Sequence, residues 1–106
     1  MKHQAMLNNS WIELTKDNHP ISGELVLIFG FNEHGKRRTL RAFYAPKFSI
    51  KDSTEFEAAE YNKLDDEFYL KQGWYESNEF EYVHWMVDFK ITHYMPMPEP
   101  PIQNKL

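Results

Sequence analysis

A small α+β domain, mainly antiparallel β-sheet with one acidic helix or insertion, is the fold class this sequence predicts, and three observations predict it. Short apolar runs with two-residue alternation, punctuated by Gly, Pro and Asn, occupy most of the chain. One acidic stretch near the middle repeats apolar residues at helical spacing instead. Prolines crowd the C-terminal end, where a strand must stop. At 106 residues the chain reads as one domain, able to bury roughly 60–70% of its unfolded surface. We place that domain at residues 11–101, with a flexible leader over 1–10, an acidic insertion over 52–71 and a tail over 102–106.

Taken in order, residues 11–15 (WIELT) predict a short first strand anchored by Trp11 and Ile12. A polar connection follows, in which Pro20 biases His19 toward extended geometry and Gly23 permits a turn. Residues 24–31 (ELVLIFGF) form a near-continuous apolar run, the signature of a strand buried on both faces. The segment NEHGK at 32–36 supplies a hairpin loop, and 38–44 returns as a basic strand. Thr54 and Glu57 match a capping box, and Tyr61, Leu64 and Phe68 recur at helical spacing, which predicts a helix over 55–70. Gly73 ends it, and Trp74 and Tyr75 begin a short strand. Over 80–89 both alternating faces are apolar, the pattern of a central strand; 91–95 reads as a last strand, so the C-terminal third predicts a meander. Pro96, Pro98, Pro100 and Pro101 then end the sheet.

Cysteine is absent, which excludes disulfides, thiolate metal sites and cysteine nucleophiles. No apolar run reaches the ~20 residues of a membrane span, so the expectation is a soluble, cytoplasmic protein with no membrane partner. Net charge is only −4, but it is unevenly laid out. Residues 34–51 carry six cations and no acid, whereas 52–81 carry ten acids against Lys63 and Lys71. Nine of the seventeen aromatic residues fall between Phe68 and Tyr94, more than a small core needs, and aromatics also mark interfaces.

Trp11-Ile12, Pro20, Gly23, Val26-Leu27 and the closing run Ile91-Thr92-His93-Tyr94-Met95-Pro96-Met97-Pro98 with Pro100-Pro101 resemble the family called domain of unknown function 551. Tyr94 stands where that family usually has tryptophan, Met97 where it has leucine, and His19 where leucine precedes the proline. The resemblance implies a small β-rich domain of phage or prophage origin and carries no agreed activity or catalytic residues. Family members are usually shorter between the two halves, which marks the acidic segment as the place for a function of its own.

No phosphate-binding glycine loop, nucleophile elbow or HExxH pattern is present, and no cofactor is expected. His84, Asp88 and His93 could be set round a divalent ion, but His84 and Asp88 lie about 13 Å apart along a strand. A hydrogen-bonded core histidine is the plainer reading of each. Lys36, Arg37, Arg38 and Arg41 could grip phosphates, with Phe43 or Tyr44 stacking on a base, although few cations and a pI near 5.7 make this a weak nucleic-acid footprint. The acids could be no more than a solvated face, or they could steer a basic partner toward aromatic anchors. The expected function is a non-enzymatic phage or prophage accessory protein binding a host protein, an anti-defence inhibitor of the anti-CRISPR kind. Its target would be a nucleic-acid-binding defence complex, its contacts Glu57, Glu60, Asp65, Asp66, Glu67, Phe68 and Tyr69. A small-ligand, metal or enzymatic pocket near His84 and His93, and a weak nucleic-acid binder through the basic hairpin, are the alternatives, and a homodimer is compatible with all three. Trp11, Trp85, Tyr94 and Pro96 are assigned to structure.

Overall fold

The computed structural model describes residues 11–52, 59–77 and 85–101. Six strands make one antiparallel sheet in the order β1 (Ile12–Glu13), β8 (Lys90–Pro96), β2 (Val26–Phe31), β3 (Arg37–Ala45), β6 (Gly73–Glu76), β7 (Trp85–Met86). The run predicted to be a doubly buried strand is β2, central between β8 and β3, but only one side of it, Val26, Ile28 and Gly30, is buried; Leu27 and Phe29 are half-buried and Phe31 is exposed. Its hairpin to β3 closes as the glycine suggests. Gly35 takes φ 78°, and Asn32 Oδ1 accepts from the backbone N–H groups of His34 and Lys36. No helix among the described residues is long and apolar enough to cross a membrane.

One face of the sheet, the inner, carries Val26, Ile28, Ala42 and Tyr94, all buried, with Leu14, Leu40, Trp74 and Ile91 packed round them. The loop after β1 closes one end of this face. Tyr94 donates its hydroxyl to the Asn18 carbonyl, and the His19 ring stacks 4.0 Å from that of Tyr44, whose hydroxyl accepts from Gln72. A tyrosine hydroxyl so buried needs a partner, and its bond ties an otherwise polar loop to the core.

The C-terminal third is not a meander. β6 and β7 form a hairpin, but the chain then crosses the sheet to place β8 between β1 and β2. Across a flat sheet, four inter-strand spacings amount to ~19 Å, whereas the four residue steps from Met86 to Lys90 reach at most about 14 Å. The sheet must therefore curl round its inner face, and Val87 and Phe89 of the crossover pack into the core there. Trp85 and Met86 stand on an edge strand rather than a central one, with Trp85 59% exposed, so its assignment to structure does not hold. Alternating apolar residues at 87 and 89 mimic strand periodicity because a crossover pressed on a core also needs apolar side chains. Residues 80–84 lie outside the described residues. Pro96 is the last residue of β8, opposite Val26, and the prolines beyond it carry no strand.

Among the described residues, the outer face is covered at one end only. There Phe43, Ala45 and Tyr75 meet Leu70 and Ile50, brought by a second, two-stranded sheet, β4 (Ala59–Asn62) with β5 (Glu67–Leu70). This hairpin replaces the helix expected over 55–70; residues 53–58, with the capping-box positions, lie outside the described residues. A helix would align Tyr61, Leu64 and Phe68 on one face, whereas Tyr69 and Leu70 are the residues that become buried. In the strand pairing Tyr61 sits opposite Phe68, so the same apolar residues satisfy a cross-strand pair. The turn has its own chemistry. Asn62 Oδ1 accepts from the Leu64 N–H, the Asp66 N–H bonds the Asn62 carbonyl, and Asp66 takes φ 62°, a conformation Asp tolerates better than most residues.

Candidate functional site

The β4–β5 hairpin gathers most of the acids singled out above. Ile50 accepts from the Leu70 N–H and Asp52 donates its N–H to the Phe68 carbonyl, so 50–52 fastens β5 to the body of the protein. Phe48 helps from the loop before it. Its φ of 55° is costly for a bulky residue, and its ring packs edge-on against Tyr69, 5.6 Å between centroids. At the other end Leu64, at the tip, is 93% exposed, and the Tyr61 and Phe68 rings, 5.2 Å apart, are each 48% exposed.

Of the predicted contact residues, Asp65, Asp66, Glu67 and Phe68 lie exposed on or beside this tip. Glu60 is drawn back into an ion pair with Lys47 at 3.0 Å, and Glu67 has Lys51 at 3.9 Å. Tyr69 is buried and supports the hairpin from beneath. Glu57 lies outside the described residues. Sequence reasoning missed Leu64 as an exposed apolar residue at the tip, because helical spacing assigned it to a buried stripe.

Asp65 and Asp66 are held by neutral donors. Tyr61 donates to Asp66 Oδ1 at 2.5 Å, and Tyr69 donates to Asp65 Oδ2. Phenols orient these carboxylates without cancelling their charge. Both phenols titrate above their ordinary 10.0. For Tyr61 the bond to Asp66 is the main cause, then partial burial and the Asp65 charge; for Tyr69 it is the bond to Asp65, then burial and the charges of Asp65 and Glu67. A raised phenol pKa means that the protonated form is favoured by folding. That contribution is complete below the unfolded value near 10 and is lost as pH climbs through the raised one. Alkaline titration followed by phenolate absorbance should therefore show three late tyrosines, the third being Tyr75, raised mainly by burial; only Tyr61 and Tyr69 should move toward the ordinary value in the double variant Asp65→Asn, Asp66→Asn. Hairpin loosening by circular dichroism should begin only above pH 10, and titration of every tyrosine at its ordinary value would contradict these bonds.

The other candidates are dispersed. Along β3, Arg37 and Arg41 project to the outer face, while Arg38 points inward over the Phe89 ring at 5.5 Å, so the basic strand is not one cationic surface. Neither Phe43 nor Tyr44 is free to stack on a base, since both are buried. His93 lies on the outer face, its Nδ1 2.8 Å from the Thr92 hydroxyl and its ring in contact with Phe29. Among the described residues no group of three or more His, Cys, Asp or Glu could hold a metal ion, and His84 is outside them. Beside His93, Trp11 and Phe29 complete a shallow apolar depression of about 210 Å³.

No curated protein and no solved structure matches this chain. A family model described as "Protein of unknown function (DUF551)" matches residues 10–102, most of the chain. The chain therefore belongs to the family of proteins of unknown function DUF551.

Proposed function

We propose that this protein acts by binding rather than by catalysis, presenting the β4–β5 hairpin to a basic surface on a protein partner. The observation that carries the reading is the tip itself, where Leu64, Tyr61 and Phe68 are exposed beside two carboxylates fixed by phenols and left charged. Apolar anchors ringed by oriented charge suit a protein interface, in which charge steers the encounter and a few aromatic or aliphatic residues supply the affinity. Carboxylates fixed along a hairpin can also occupy places where phosphates would bind. A nucleic-acid-binding component of a bacterial defence system is thus the target class we favour, with the protein serving a phage or prophage as its inhibitor.

The test is a pull-down from bacterial lysate with tagged protein, comparing the parent with Asp65→Asn, Asp66→Asn and with Leu64→Ser. Asparagine keeps an acceptor for each phenol and tolerates the left-handed conformation at position 66, so the charge is lost while the turn is kept. We expect the parent to capture a nucleic-acid-binding protein that duplex DNA displaces, and each variant, folded by circular dichroism, to lose about tenfold or more in affinity for it. Equal capture by parent and variants would sink the reading.

A further inference from the structure

We propose that the open half of the outer sheet face is a second binding site, and that it takes single-stranded nucleic acid. This does not rest on the hairpin reading, since the surface and the residues are different. Phe29 and Phe31 occupy alternate positions of the central strand β2 and so point to the same face, where their rings meet edge to face with centroids 5.3 Å apart. Trp11 and His93 stand next to Phe29, with ring centroids 5.8 and 6.3 Å from it, and between these three rings lies the apolar depression. Phe31 is 41% exposed. Its register partners on the two neighbouring strands are Arg37 on β3 and Lys90 on β8, both exposed and neither in an ion pair among the described residues. A protein of net charge −4 thus brackets its most exposed β2 ring with two cations.

Rings on a sheet surface flanked by Arg and Lys are the elements of single-strand recognition. Bases stack on the rings whatever their identity, and the cations pair with the phosphates on either side. A duplex keeps its bases stacked on one another and has no use for the rings. An apolar peptide would use the rings but leave the cations idle. The arrangement offers one base subsite on Phe31 and another in the depression formed by Trp11, Phe29 and His93.

Fluorescence anisotropy with a labelled oligothymidylate of about ten nucleotides tests this at low salt, one or two nucleotides per ring being a comfortable fit for so small a site. Parent protein should bind with a logarithmic salt slope of about −1.4, the value for two phosphate contacts on a single strand. Phe31→Leu, a conservative change at an exposed position, should weaken binding by about fivefold or more while melting like the parent. Arg37→Gln with Lys90→Gln should flatten the salt slope, and Asp65→Asn, Asp66→Asn should retain binding, which separates this site from the hairpin. Absence of binding at low salt, equal affinity for a duplex of the same length, or indifference to Phe31→Leu would overturn the proposal. So would parent self-association in sedimentation that Phe31→Leu abolishes, because the face would then belong to a second copy.

Discussion

Gly30→Ala is expected to unfold this protein or come close to it. A Cβ at that position would fall far inside contact distance of the Lys90 carbonyl oxygen and 2.8 Å from its carbon, and both atoms are backbone. Relief by a side-chain rotation is therefore closed, and β8 would have to move away from β2. The contact exists because pairing slips between Phe29 and Gly30, where Thr92 is the extra residue on β8. Separating β2 from β8 at this bulge disturbs the centre of the sheet, not its margin. We expect a loss of about 4 kcal/mol or more, the exceptional end for a single substitution, equivalent to a fall in Tm of roughly 15–30 °C. Gly35→Ala is the control. Nothing lies within 4 Å of its Cβ, so only the positive φ opposes it, at about 1 kcal/mol. Urea melts of both variants check the pair, and equal midpoints would refute the close approach.

Gly30 also shows where a sequence is silent. The run over 24–31 correctly announced a central strand, paired on both edges, but its apolar residues are buried on one side only, at Val26, Ile28 and Gly30, while Phe31 on the other is exposed. The glycine within it could have been read as a bulge or a close approach, since a strand interior rarely keeps one otherwise. Which backbone approaches it depends on β8, sixty residues later and placed beside β2 by a crossover that leaves no local signal. The meander failed for the same reason. Alternation at residues 87 and 89 reports burial, and burial beneath a curled sheet looks like burial within a strand.

The acidic segment was legible in composition and illegible in conformation. Tyr61, Leu64 and Phe68 satisfy a helical period, while Tyr61 opposite Phe68 satisfies a hairpin equally well. The turn chemistry at Asn62 and Asp66 distinguishes the two, through an Asx-type bond to the Leu64 N–H and a positive φ at Asp66. With the hairpin in place, the acids at 65 and 66 come to an exposed tip as their density suggested, and Leu64 changes from an expected core residue into an exposed apolar one beside them. The outer face was missed because its members, Trp11, Phe29, Phe31 and His93, come from three strands far apart in sequence, and only register brings Arg37 and Lys90 beside them.

Tyr75 links the stability of the fold to the proposed activity of the hairpin. It is completely buried, its ring stacks on Phe43 at 5.6 Å with 15° between planes, and its hydroxyl donates to the Lys71 carbonyl at 2.8 Å. Through Phe43 it belongs to the cluster by which Leu70 and Ile50 seat the β4–β5 hairpin on the sheet. Tyr75→Phe keeps the ring and removes one bond, and should cost about 1–2 kcal/mol, including the carbonyl left without its donor. Tyr75→Ala opens a cavity under the hairpin and should cost about 3–5 kcal/mol. The two effects should differ in kind as well as in size. The alanine variant, at a temperature where the main sheet is still folded, should expose the amides of β5 to hydrogen exchange before those of β2, because β2 packs mainly in the other core cluster. Its affinity for the hairpin's partner should fall although no contact residue has changed, while binding of oligothymidylate to the opposite half of the outer face persists. Uniform loss of protection across both clusters would mean that the hairpin and sheet unfold as one unit, and that the tip is held by the whole fold rather than by Tyr75.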